Sequence, residues 1–158
     1  MMRILLRHIA LLWALLLVVG CSSDKQAMGS ILRAESLMLD APDQALAIIE
    51  GVDRSKVRGR GDKAYYSLVY SEVLYHNYVD IASDSLTLPA VEYYRGGEND
   101  YMLVRSLYQH SLIVQRRGRD YLAEAMVSLL EAEKLLPNIS DTRLKGLVLR
   151  TKGDVYGD

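Results

Sequence analysis

Cys21 is the only cysteine in 158 residues, and it stands where an apolar run ends: LVVG precedes it and SSDKQ follows. One thiol excludes an internal disulfide and a Cys-rich zinc site. The other reactive side chains are sparse. After Cys21 the only histidines are His76 and His110, which lack metal-ligand spacing and any HExxH pattern. They are expected as ordinary helix or rim residues. Glu131 and Glu133 stand two apart, which puts them on different faces of a helix and makes a shared acid–base pair unexpected. No GxSxG, GxxxxGK[ST] or Rossmann glycine pattern occurs. No nucleophile, base and orienter can be assembled, so the chain is expected to be non-enzymatic, with no cofactor and no metal.

Tyrosine is the conspicuous functional type. All eleven Tyr follow Cys21, whereas Phe is absent and the single Trp is Trp13. They cluster as Tyr65-Tyr66, Tyr70, Tyr75 to Tyr78 and Tyr93-Tyr94. Neighbours on a helix point about 100° apart, so one member of each pair can be core and the other rim. Tyr65, Tyr78 and Tyr93 are the expected exposed contacts of a partner groove, since Tyr supplies rigid amphipathic area. The plainer alternative is that Tyr fills inter-helix space in a chain without Phe.

The chain's start sets its location. Arg3 and Arg7 form a short basic leader, residues 9 to 19 are unbroken apolar residues, and Gly20 and Cys21 close the run. Basic start, apolar core and small-residue exit make a secretory signal peptide. The run is too short for a membrane span of about 20 residues. Val18-Val19-Gly20-Cys21 resembles a bacterial lipobox. The resemblance implies that the Cys21 thiol receives a diacylglyceryl group and that a signal peptidase cuts between Gly20 and Cys21. Acyl chains contribute about 0.8 kcal/mol per buried methylene, so two or three hold firmly. Ser22 stands where an Asp would favour inner-membrane retention, and the implied location is the cell envelope, at the outer membrane facing the periplasm.

The remainder is expected to be helical. Formal net charge is −1, which argues against a nucleic-acid binder. Strand-like alternation is nearly absent, and three Pro and scattered Gly divide the chain. Residues 21–28 read as lipidated Cys and polar tether. Helices are expected near 30–39, from a cap at Asp40 with Pro42 in the first turn to Gly51, over 62–78, from Ser83 or Ser85 through Pro89, and over 100–116, 120–136 and 141–156. Leu122, Ala125, Met126, Leu129 and Leu130 follow the i, i+3, i+4, i+7, i+8 spacing, with Asp120 as the expected cap and Pro137 past the end. Seven helices on short polar links predict an all-α, antiparallel helix-hairpin stack.

Leu107, His110, Ser111 and Val114, then Ala125-x3-Leu129 and Pro137, resemble the tetratricopeptide pattern in softened form. Leu149, Lys152, Gly153 and Tyr156 fit the first helix of a following unit, while Ala45-x3-Ile49 and Ala90-x3-Tyr94 keep only its small–large pair. The turn at Gly118 is about two residues too long for the pattern. Residues 29–158 therefore resemble a tetratricopeptide-like α-solenoid, and the whole resembles repeat lipoproteins common in Bacteroidetes. The resemblance implies a concave groove for a protein segment and no catalytic residues. The sequence stops after a first helix, so that helix is expected to cap the array unless the chain is a fragment. Two other functions stay open: glycan or peptidoglycan capture by exposed Tyr, and the sensory part of a larger membrane-associated regulator. Arg54, Lys56, Arg58 and Arg60 make a basic link containing Arg60-Gly61-Asp62, and Arg116, Arg117 and Arg119 make a second. Both are expected as solvated linkers. Asp84-Ser85-Leu86 resembles a short Bacteroidetes O-glycosylation acceptor motif.

Overall fold

The computed structural model describes residues 24–157, and no strand occurs among them. Helix α1 covers 24–37. It is followed by α2 (Pro42–Glu50), α3 (Arg60–His76), α4 (Leu88–Arg95), α5 (Asp100–Arg116), α6 (Leu122–Leu135) and α7 (Thr142–Gly157). The chain is all-α. Single 3-10 turns mark the links at Arg54–Lys56, Asp84–Leu86, Arg119–Tyr121 and Leu136–Asn138.

Local chemistry explains most boundaries. Pro42 opens α2 with φ already helical and one fewer orphan N–H, and the Gly51 N–H closes it on the Ala47 carbonyl. The Asn99 side chain accepts from Met102 N at the start of α5, and Asp141 accepts from Leu144 N at the start of α7. Ser83 accepts from Ser85 N, which identifies Ser83 as the cap of the turn before α4. Gly118, at φ 117°, makes the break between α5 and α6 that an L-residue would resist.

Four expectations need correction. Helix α1 reaches back to residue 24, so residues 24–28 are helical, because Ala27, Ile31, Ala34 and Met38 recur at helical spacing and are all buried. Asp40 does not cap α2; it sits in a turn, and Ala41 occupies the cap position without a side-chain bond. Asp120 does not cap α6, because the 3-10 turn at Arg119–Tyr121 runs directly into Leu122 and places Asp120 inside helical backbone. Leu130 is exposed, and the buried stripe of α6 is Ala125, Ser128, Leu129 and Ala132.

Consecutive helices pack on one another, and α3 also touches α5. The apolar interior forms two clusters rather than one. The first joins α1, α2 and Val57 of the link to Tyr66, Val69 and Val73 of α3. The second joins Ala64 and Leu68 of α3 to α4, α5, α6 and α7. Helix α3 is therefore buried on nearly every side, as a helix shared by two cores must be. Each fully buried Leu or Ile, such as Ile49 or Leu129, stabilises by about 1.5–3 kcal/mol.

Candidate functional site

Helices α3, α5 and α7, with the turn at Met38 and Leu39, enclose a cleft of about 260 Å³. Its floor is a network of buried charge. Arg105 of α5 donates from Nε to Glu72 Oε1 at 2.7 Å and from Nη2 to Glu72 Oε2 at 2.5 Å, a two-pronged bond to α3. Its Nη1 reaches Glu35 Oε1 of α1 at 2.5 Å, and the Tyr65 hydroxyl donates to the other Glu35 oxygen. Three helices thus meet on one guanidinium, whose planar fork suits the task. Burial pushes the Glu72 carboxyl up, while the Arg105 guanidinium pulls it down. Burial, followed by the bond to Glu35, holds the Tyr65 phenol well above its usual range. Beside this network Gln109 donates to the Ser71 carbonyl at 2.9 Å.

The walls are mainly aromatic and aliphatic, with the charged Asp141 and Arg143 at the start of α7. Tyr75, Tyr101 and Tyr108 line the cleft together with Leu112, Leu144 and Leu147. Arg116 lies over the Tyr75 ring at 4.0 Å, a cation–π contact that fixes that ring. Tyr101 is 39% exposed. His76 is also on the wall; burial and the nearby Arg143 hold its pKa below the ordinary value. Mainly apolar walls over a satisfied polar floor suit reversible binding, since the floor's groups are already bonded to one another.

The three tyrosines singled out by sequence are not brought together. Tyr65 turns inward onto Glu35 and packs against the first core, so it is no rim residue. Tyr78 is 85% exposed, just past the end of α3 and thirteen positions from Tyr65, about 20 Å along the helix. Tyr93 of α4 lies with its hydroxyl against Gly61, where an added Cβ would meet it at 2.8 Å. None of them lines the cleft. The residues that do line it on α5 are Tyr101, Arg105, Tyr108, Gln109 and Leu112, spaced i, i+4, i+7, i+8 and i+11. That second stripe, running beside the apolar core stripe of Leu103, Leu107 and Val114, was the available signal. Gly20 and Cys21 lie outside the described residues.

The positions matching the repeat pattern divide in two. Leu107, His110, Ser111, Val114, Ala125 and Leu129 are buried. Leu149 is 46% exposed and Tyr156 87%. The basic links are not free linkers. Arg54 bonds the Tyr66 hydroxyl at 3.1 Å and covers Tyr70, and Arg117 covers Tyr121 at 3.9 Å. Arg60-Gly61-Asp62 is the first turn of α3. Glu131 and Glu133 do point apart: one binds Arg95 of α4 at 2.7 Å, the other Lys152 of α7 at 2.5 Å. Ser85 is exposed in its turn. Among the described residues no helix is long and apolar enough to cross a membrane. No protein-family model, curated protein or solved structure matches this chain.

Proposed function

We propose that this protein is a lipid-anchored, non-enzymatic interaction module of the cell envelope, and that it holds a segment of a partner protein in the α3–α5–α7 cleft. The observation that carries this reading is the cleft itself: exposed Tyr101 and half-buried Tyr75, Tyr108 and Leu147 stand over a floor whose charges are already paired. A short peptide or partner helix would bury the ring faces and leave the Arg105 network undisturbed. The cleft is lined by α3, α5 and α7, alternate helices of the chain, which is the arrangement expected of the first helices of stacked hairpins. The buried Leu107, Ser111, Val114, Ala125 and Leu129 support the tetratricopeptide-like reading of α5 and α6.

The anchor is Cys21, placed after an apolar run and followed by Ser22. Outer-membrane attachment facing the periplasm completes the proposal. Cys21→Ser should move the chain from the detergent phase to the aqueous phase; unchanged partitioning would remove the anchor. For the cleft, a photo-crosslinking residue at Tyr101 should recover a discrete protein adduct from cells, while the same residue at exposed Tyr93, outside the cleft, should not. Failure to recover any adduct from position 101 would sink the docking reading. The exposed Tyr101 ring also favours a second reading, stacking on a sugar of a glycan or peptidoglycan fragment. Binding of purified fragments that is lost in a folded Tyr101→Ala variant would select it.

A further inference from the structure

Away from the cleft, Asp84, His110 and Glu124 converge from three different segments. Asp84 belongs to the 3-10 turn before α4, His110 to α5 and Glu124 to α6. One ligating atom from each lies within 4.8 Å of the other two. His110 is only 5% exposed, and among the described residues its Nε2 has no hydrogen-bond partner. The Glu124 Oε1 stands 3.8 Å from that nitrogen, beyond hydrogen-bond reach. The ring's other nitrogen is occupied. Nδ1 lies 3.1 Å from Ser128 Oγ, which itself donates to the Glu124 carbonyl at 3.4 Å. With the proton on Nδ1 and donated to Ser128 Oγ, Nε2 would present its lone pair towards the two carboxylates. A cation between them would satisfy that lone pair and both carboxylates at once.

We infer that Asp84, His110 and Glu124 form a site for a divalent transition-metal ion of the zinc class. One imidazole and two carboxylates are suitable ligands, and Ser128 on Nδ1 is the outer partner that orients a metal-bound histidine. Tetrahedral bonds of about 2.1 Å place ligand atoms about 3.4 Å apart, so the His110–Glu124 pair, now 3.8 Å apart, would close by a few tenths of an ångström and the widest pair by up to about 1.4 Å. The two carboxylates are partly exposed and can turn to close that gap. Burial holds the His110 pKa below its ordinary value, opposed by Glu124 and Asp84 and aided by Arg95 and Arg117. Arg117, 3.7 Å from Asp84 Oδ2, competes for that carboxylate and moderates the affinity. A bound ion would clamp the α3–α4 connection to the α5–α6 pair, with one coordination position left open to water. The site adds a ligand that the docking proposal does not require.

Zinc titration of the purified full chain in detergent tests this, by equilibrium dialysis alongside thermal melting. The expected result is one zinc per chain, and at zinc about 100-fold above Kd a rise in Tm of roughly 5–10 °C. Glu124→Gln and Asp84→Asn alter accessible carboxylates and should stay folded by circular dichroism, yet each should weaken binding at least about tenfold. His110→Ala should abolish it. No uptake by the folded chain overturns the site. So does uptake that both carboxylate variants retain, which would assign the metal to His76 or another site.

Discussion

Arg105 and His110 stand five residues apart on α5, about 140° around the helix, and each meets two carboxylates contributed by other parts of the chain. They differ in completeness. Arg105 bonds Glu72 through two nitrogens and Glu35 through the third. His110 reaches only Ser128, and its inner nitrogen faces carboxylates across a gap. A buried polar group with every bond made is a structural joint; one left open marks a place where a further species fits. The same contrast separates the cleft, whose floor is closed, from the Asp84–His110–Glu124 cluster, whose centre is open.

The strongest way to break the contrast is to remove the joint. Arg105→Met should leave Glu72 buried without its cation and cost about 3–5 kcal/mol in urea unfolding. Adding Glu72→Met in the same chain should recover most of that loss, because the stranded charge is gone. A loss below about 1 kcal/mol for Arg105→Met would mean that the network is decoration.

Backbone strain offers a smaller test. Tyr78 has φ 56°, and Val79 N closes onto the Leu74 carbonyl, a helix end that normally uses glycine at the left-handed position. Tyr78→Gly should stabilise the fold by about 1 kcal/mol. If it also leaves partner crosslinking intact, the exposed ring is no contact. Smaller again is His110→Leu in metal-free buffer, which removes the open nitrogen and should change stability by less than about 1 kcal/mol. A cost near that of Arg105→Met would erase the distinction between the two clusters. The smallest effect is expected at His76. Its folded pKa lies below 6.5, so the unfolded chain takes up the proton first. The stability it contributes is present above pH 6.5 and is lost as pH falls through the folded value. Wild type should therefore lose slightly more Tm than His76→Gln between pH 7 and pH 5.5.

Periodicity was enough to read that there are helices and roughly where, although α1 starts at residue 24 rather than near 30. Positions such as Leu68, Val69, Leu107 and Leu129 declare a buried face, and Pro42 and Gly51 mark ends by local chemistry. What periodicity missed are choices settled by neighbours. Whether Asp120 caps depends on whether Arg119–Tyr121 is already helical, and whether Leu130 is buried depends on what packs against α6. Tyrosine's part was the least legible. Tyr65 and Tyr101 are one residue type on two helices; only the arrival of Glu35 from α1 turns the first inward. The gathering of Asp84, His110 and Glu124 had no spacing signature, because three separate segments supply it. The absence of HExxH therefore said nothing about it.

The reach of Arg105 bears on how the chain comes apart. In a linear array each helix pair is normally secured by its neighbours alone, so ends can fray while the middle holds. Here a single side chain on α5 grips α3 and, beyond it, α1. Opening α1 would uncover one arm of that guanidinium, and loss of α5 would strand two acids on separate helices. Helix α1 should then exchange its amide protons at rates closer to those of the interior, and α1, α3 and α5 should melt as one cooperative unit.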